Sequence, residues 1–193
     1  MDFLNSIILL TNFIVVPGVT YGSQLALGAI GVTLIYGVLR FANFAYGDLM
    51  AFGTMIVILV TWYLQSKGIS LGLLPTAILA LPIGILATIA VSLFFDKTVF
   101  EYYREKKSDP VTFIVVSLGI MFVLNAVVRI IIGPQNINFM DGQKFIMKAR
   151  EFKEITGLNE GLALKSTQLI TLVTTIITCS ILFYFLNKTK TGK

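Results

Sequence analysis

Four stretches of this chain, Gly18 to Leu39, Gly72 to Phe95, Val111 to Ile132 and Thr167 to Leu186, are nearly free of charge. Each is roughly 20 residues long, the length a helix needs to cross a hydrocarbon core of about 30 Å. Asp48 to Leu64 is a shorter candidate, and Phe3 to Val16 is shorter still, interrupted by Asn5, Ser6 and Asn12. In lipid every backbone polar group needs an internal partner, so spans of this kind are helices. The pattern predicts an all-α, polytopic membrane protein of about six transmembrane helices.

Composition agrees. Charged residues make up 13% of the 193 residues, against 56% hydrophobic ones, where soluble domains carry about 25% charged residues. The net charge of +5 does not point to nucleic acid, because the lysines and arginines lie in the connections between spans, where they set topology. A cleaved signal peptide is a poor reading of the N-terminus: the leading charge is Asp2, and a signal begins with positive charge. The chain has no histidine and one cysteine, Cys179. No intrachain disulfide is possible, and the commonest metal ligand and general base is missing. No metal site or catalytic residue is expected.

Punctuation is clear. Ser66-Lys67-Gly68 ends one span. Pro75 suits the first turn of the next, and Pro82 should kink it, which membrane helices tolerate. Asp96 to Pro110, DKTVFEYYREKKSDP, reads as a charged loop ending in Ser108-Asp109-Pro110, a helix start. Gly133-Pro134 stops the following span. Residues 135–166 form the longest polar stretch and read as an external loop. Within it Gln143 to Ile155 has the spacing of a short amphipathic helix, with a solvated loop as the alternative. Six spans would put both termini on one side. A cytoplasmic placement leaves eight basic residues inside and six outside, the direction of the positive-inside rule.

Gly18, Gly22 and Ala26 recur four apart, as do Ala80, Gly84 and Thr88. With Gly31, these are candidate helix-packing positions, since small residues let membrane helices approach closely.

The segment RFANFAYGDLM, Arg40 to Met50, sets Arg40, Asn43, Tyr46, Gly47 and Asp48 within nine positions of a greasy region. A wet turn is one reading, yet Phe41, Ala42, Phe44 and Ala45 do not suit a water-exposed turn. Irregular backbone at membrane depth is allowed where protein buries it or a watery cavity solvates it. A discontinuous segment near 40–48 fits both observations and offers backbone groups and polar tips to a passing solute. Tyr36, Asn43, Phe44, Tyr46, Gly47 and Asp48 are the candidate substrate pathway. Arg40, Asn125 and Arg129 are candidate intramembrane polar groups. Arg40 and Asp48 each need a polar cavity or interface, and each could offset the other's charge. Arg129, within a turn of Gly133, reads as a snorkelling residue. Asn125, one turn before it, can hydrogen-bond across helices.

The stretch GVTYGSQLALGAIGVTLIYGVLRFANFAYGDLMAFGTM resembles the N-terminal region of the ABC-transporter permeases for branched-chain amino acids. That family shows a Gly-rich helix, a Tyr-Gly pair and an Asn-Phe-Ala-His-Gly segment. These correspond to Tyr36-Gly37 and Asn43-Phe44-Ala45-Tyr46-Gly47, with Tyr46 in place of the family's His. The likeness continues in FDKTVFEYYREKKSDPVTFIVVSLGIMFVLNAVVRIIIGP and in the last span with its basic NKTKTGK end. Residues 135–166 match least. The resemblance implies a permease subunit of the plasma (inner) membrane, not an enzyme. It would pair with a second permease subunit, with ATP-binding subunits and with an external solute-binding protein. The resemblance implies no cofactor on this chain, ATP being bound by a partner subunit. The resemblance also implies that residues 1–193 correspond to a single, incomplete permease domain, without the coupling segment expected further on. A relative handling urea or short amides is an alternative. So is a non-transporting scaffold or inactive fragment. A membrane enzyme has little acid–base machinery to draw on.

Overall fold

A computed structural model describes residues 2–69, 74–135, 145–156 and 160–188. Among these residues the regular structure is helical apart from one short two-stranded antiparallel sheet. Five helices are long and apolar enough to cross a membrane: Phe3–Leu39, Tyr46–Ser66, Ala77–Glu105, Pro110–Ile132 and Ser166–Lys188. The all-α polytopic reading holds. The expectation of two spans before Arg40 does not, because the first 37-residue helix is continuous. Helix α1 (Asp2–Leu10) passes through a π-helical segment, Thr11–Val15, into α2 (Val16–Leu39). Pro17 lacks an N–H and should weaken this junction. The wider π turn absorbs it, with the Val16 N–H donating to the Thr11 carbonyl. The even span count behind the same-side placement of the termini is therefore not found.

A second π segment, Asp96–Phe100, carries α4 (Ala77–Phe95) into α5 (Glu101–Glu105). Most of the expected 96–110 loop is thus helix, extended by a two-pronged pair in which Arg104 donates to both Asp96 carboxylate oxygens at 2.8 Å. The chain turns at Lys107, φ 50°. Helix α6 (Pro110–Ile132) then opens as expected, with Asp109 extended and Pro110 in the first turn, and Gly133 ends it at φ 103°.

The chain divides into two compact units. The first comprises Met1–Ile30 and Gly142–Lys193. In it strand β1 (Phe145–Met147) pairs antiparallel with β2 (Leu164–Lys165). Between them lies α7 (Ala149–Thr156), and α8 (Ser166–Lys188) comes after β2. The amphipathic stretch expected over 143–155 is therefore strand first and helix second. Its first two residues lie outside the described residues. Gly161 has no room for a side chain, since a Cβ there would meet the Ala149 carbonyl. The Asn12 side-chain oxygen accepts from the Ala163 N–H at 3.3 Å, so Asn12, met in the sequence as an interruption, ties this cap to the first helix.

The second unit comprises Gly31–Asp141. Its central contact is α3 (Tyr46–Ser66) against α4, at a point where Gly53 faces Gly84. A Cβ on Gly84 would overlap Val57 and come within 3.1 Å of the Gly53 carbonyl, and one on Gly53 would overlap the Thr88 hydroxyl. Gly84, one of the expected packing positions, lies at this crossing. Phe41, Ala45, Phe100, Ile120 and Leu124 form the buried apolar core of the unit.

Candidate functional site

Helix α2 stops at Leu39 and α3 starts at Tyr46, leaving Arg40 to Ala45 as the connection between them. The stop is made by Arg40 in the left-handed region, φ 61°, its N–H donating to the Tyr36 carbonyl at 2.9 Å. Glycine is the usual residue for that cap. An arginine there costs about 1–2 kcal/mol, so the termination is imposed by the packing of the residues after it. Phe41 is buried, 5.1 Å from the Phe113 ring and 5.7 Å from the Phe100 ring. Asn43 folds its side-chain oxygen back to accept from the Ala45 N–H at 3.0 Å, an Asx turn that leads into α3. Ala45 is 1% exposed.

Two bonds join this connection and the first turn of α3 to α6. The Phe44 N–H donates to the hydroxyl of Ser117 at 3.2 Å, and the Asn125 side-chain amide donates to the Asp48 carboxylate at 2.9 Å. Both partners lie on α6, a helix of 23 residues. At 1.5 Å per residue α6 is about 34 Å long, with Ser117 about 10 Å and Asn125 about 22 Å from its start. The connection therefore starts at Arg40 beside the first turn of α6, near Ser108 and Pro110, and reaches the Ser117 turn at Phe44. Phe41 and Ala45 are covered by protein, and side-chain oxygens of Ser117 and Asn43 accept from the Phe44 and Ala45 N–H groups, the kind of support that irregular backbone near a span requires.

A cavity of about 510 Å³ opens beside the break, lined by Val32, Thr33, Ile35, Tyr36, Ala42, Asn43, Phe44, Tyr46 and Gly47. That is within the roughly 300–1,000 Å³ usual for small-molecule sites. The lining is mostly apolar, carries no charged side chain, and places hydroxyl or amide groups of Thr33, Tyr36, Asn43 and Tyr46 around it. Five of the six residues expected on the pathway are in this wall; the sixth, Asp48, is turned to Asn125. The Tyr46 ring reaches α2, where its hydroxyl is pressed against Gly31 so closely that a Cβ there would overlap it.

The other expectations sort differently. Arg40 and Asp48 do not pair. Among the described residues the ion pairs are Arg104–Asp96 and Arg150–Glu154, and the Asp48 carboxylate takes a neutral amide as partner. Arg40 is exposed and lines a separate cavity. Arg129 is exposed in the last turn of α6. A Cβ at Gly18 or Gly22 would meet nothing within 4 Å, and Ala26 is exposed, so no described helix of its unit packs on that stripe. Ser117 was missed by the sequence reading. Its signal, a lone hydroxyl in an apolar run, is common in spans and carries no spacing rule. No group of three or more His, Cys, Asp or Glu side chains that could hold a metal occurs among the described residues.

The described residues thus define a polytopic helical membrane protein with a cavity of small-molecule size at the connection between its first two spans. Residues 14–193 match the family described as branched-chain amino acid transport system / permease component, and the chain belongs to that family. Among curated proteins it is similar to the high-affinity branched-chain amino acid transport system permease protein LivH of Escherichia coli strain K12. The two are 40% identical over 60 residues, 31% of this chain and 20% of that one. It is similar to LivH of Salmonella typhimurium, at 24% identity over 140 residues, 70% of this chain and 44% of that one. It also resembles BraD of Pseudomonas aeruginosa, at 32% identity over 91 residues, 47% and 26% of the two chains. The matched region thus spans less than half the length of each relative. No solved structure matches.

Proposed function

We propose that this protein is the membrane-spanning permease subunit of an ATP-driven importer that moves branched-chain amino acids by alternating access. The observation that supports the reading best is the connection between α2 and α3, which reaches the Ser117 turn of α6 at Phe44, with an uncharged, largely apolar cavity at its edge. An aliphatic side chain suits such a wall. The charged ends of an amino acid need different partners. Helix α3 begins at the cavity, with Tyr46 and Gly47 in its first turn. First-turn N–H groups lack helical acceptors and lie at the positive end of the helix dipole, which favours a carboxylate. The last carbonyls of α2, beyond Tyr36, are the complementary end for an ammonium group. Tyr36, Asn43 and Tyr46 would orient the solute between them.

In this reading ATP is bound and hydrolysed by partner subunits, a second permease subunit completes the pathway, and a solute-binding protein delivers cargo to an outside face that includes residues 135–166. The membrane is the plasma (inner) membrane.

The test is uptake. Cells without their own branched-chain transport would express this protein together with the ATP-binding and solute-binding proteins of such a system. Accumulation of labelled leucine that depends on this chain, and falls on Asn43→Ala or Tyr36→Ala, is the expected result. A chain that inserts and assembles while leucine uptake stays at background contradicts the proposal and favours a scaffold role.

A further inference from the structure

A second cavity lies on the other side of the α2 terminus, and it differs in chemistry from the first. Its volume is about 370 Å³. One part is apolar, with Val38, Phe41 and Phe113 in the wall; the other presents Arg40, Arg104 and Ser108. It sits where α6 begins, at the charged turn that holds Lys106 and Lys107, and so at the level where an apolar span meets water. The two arginines are not equivalent. Arg104 is held by the Asp96 carboxylate through two bonds of 2.8 Å, which offsets its charge. Arg40 is exposed, and its guanidinium has no hydrogen bond or ion pair among the described residues. The strained left-handed backbone at Arg40 holds this free cation at the cavity.

We propose that this cavity binds one anionic phospholipid, its phosphodiester on Arg40 and Ser108 and the start of an acyl chain along Val38, Phe41 and Phe113. A neutral lipid would leave Arg40 without a counter-charge. A free phosphate would satisfy Arg40 and leave the apolar part of the cavity unfilled. The lipid supplies both halves, and arginine is suited to phosphate because its planar fork can give two parallel bonds. The site does not depend on which solute the protein carries.

Native mass spectrometry of the full protein in mild detergent tests this, with phosphatidylglycerol and phosphatidylcholine added in equal amounts. Phosphatidylglycerol should be retained preferentially. Arg40→Gln should weaken its retention about fivefold, the equivalent of one basic residue near an anionic surface, and Arg40→Lys should restore part of it. Val38 is 80% exposed, so Val38→Trp fills the cavity without disturbing a core. It should displace the lipid with Arg40 intact. Equal retention of the two lipids, or no effect of either Arg40→Gln or Val38→Trp, overturns the proposal. Displacement of the bound lipid by inorganic phosphate also overturns it, and reassigns the site to a free anion.

Discussion

Asn125 donates its side-chain amide to the Asp48 carboxylate at 2.9 Å, joining α6 to the first turn of α3 across 77 positions of sequence. A carboxylate inside an apolar bundle needs such a partner. Asn125→Leu should lower stability in detergent by about 0.6–2 kcal/mol, between the mean for membrane hydrogen bonds and that for bonds to charged groups. Asp48→Leu placed on top of it should recover part of the loss, because two apolar partners leave nothing unsatisfied. Thermal unfolding of the single and double variants reads both effects.

Ser117 is fully buried and accepts from the Phe44 N–H while donating to the Ile114 carbonyl at 2.8 Å. Ser117→Ala leaves the Phe44 amide without its acceptor, at a cost of about 1–3 kcal/mol. Amide hydrogen exchange at Phe44 and Ala45 should quicken in this variant, while exchange in the α3–α4 contact is unchanged.

Gly31 and Gly28 are three positions apart on α2 with opposite surroundings. A Cβ at Gly31 overlaps the Tyr46 hydroxyl, and one at Gly28 meets nothing. Gly28→Ala should be neutral or slightly stabilising, since alanine is the better helix former. Gly31→Ala should push Tyr46 out of place and cost about 1–3 kcal/mol, the usual penalty of overpacking. In a Tyr46→Ala background the Gly31→Ala penalty should largely vanish, which thermal unfolding of the four variants checks.

Gly84→Ala forces Val57 and the Gly53 carbonyl away from α4, and should destabilise the α3–α4 pair by about 1–3 kcal/mol. Val57→Ala should restore much of that, because the displaced atom is a side-chain methyl. The same measurement decides it.

The sequence reading reached the spans and the break for a physical reason: lipid admits only long apolar helices, and a polar cluster inside one stands out. It placed an irregular segment near 40–48 because Phe41, Ala42, Phe44 and Ala45 were too apolar for a wet turn; the irregular stretch is Arg40 to Ala45, with Phe41 and Ala45 buried and Ala42 and Phe44 exposed. It went wrong where local chemistry leaves two outcomes close in energy. Pro17 can end a helix or be absorbed by a π turn, and the charged DKTVFEYYRE run can be loop or helix until Arg104 meets Asp96. Partners were the least legible. Charge favoured Arg40 for Asp48, yet the tertiary arrangement puts Asn125 there. The room at each glycine was not legible at all, since Gly18, Gly22 and Gly31 read alike and only Gly31 is in close contact.

The central claim is that Phe44, in the connection between α2 and α3, lies at membrane depth, level with the Ser117 turn of α6. Spin labels read depth through their relative accessibility to dissolved oxygen and to a water-soluble nickel complex. In a Cys179→Ser background, Phe44→Cys (a position 51% exposed) is compared with Val115→Cys (61% exposed) on α6 and with Lys107→Cys in the charged turn. The account predicts that the label at 44 matches that at 115, with oxygen access dominant. A label at 44 that behaves like the one at 107, with nickel access dominant, would show an ordinary wet turn and contradict it.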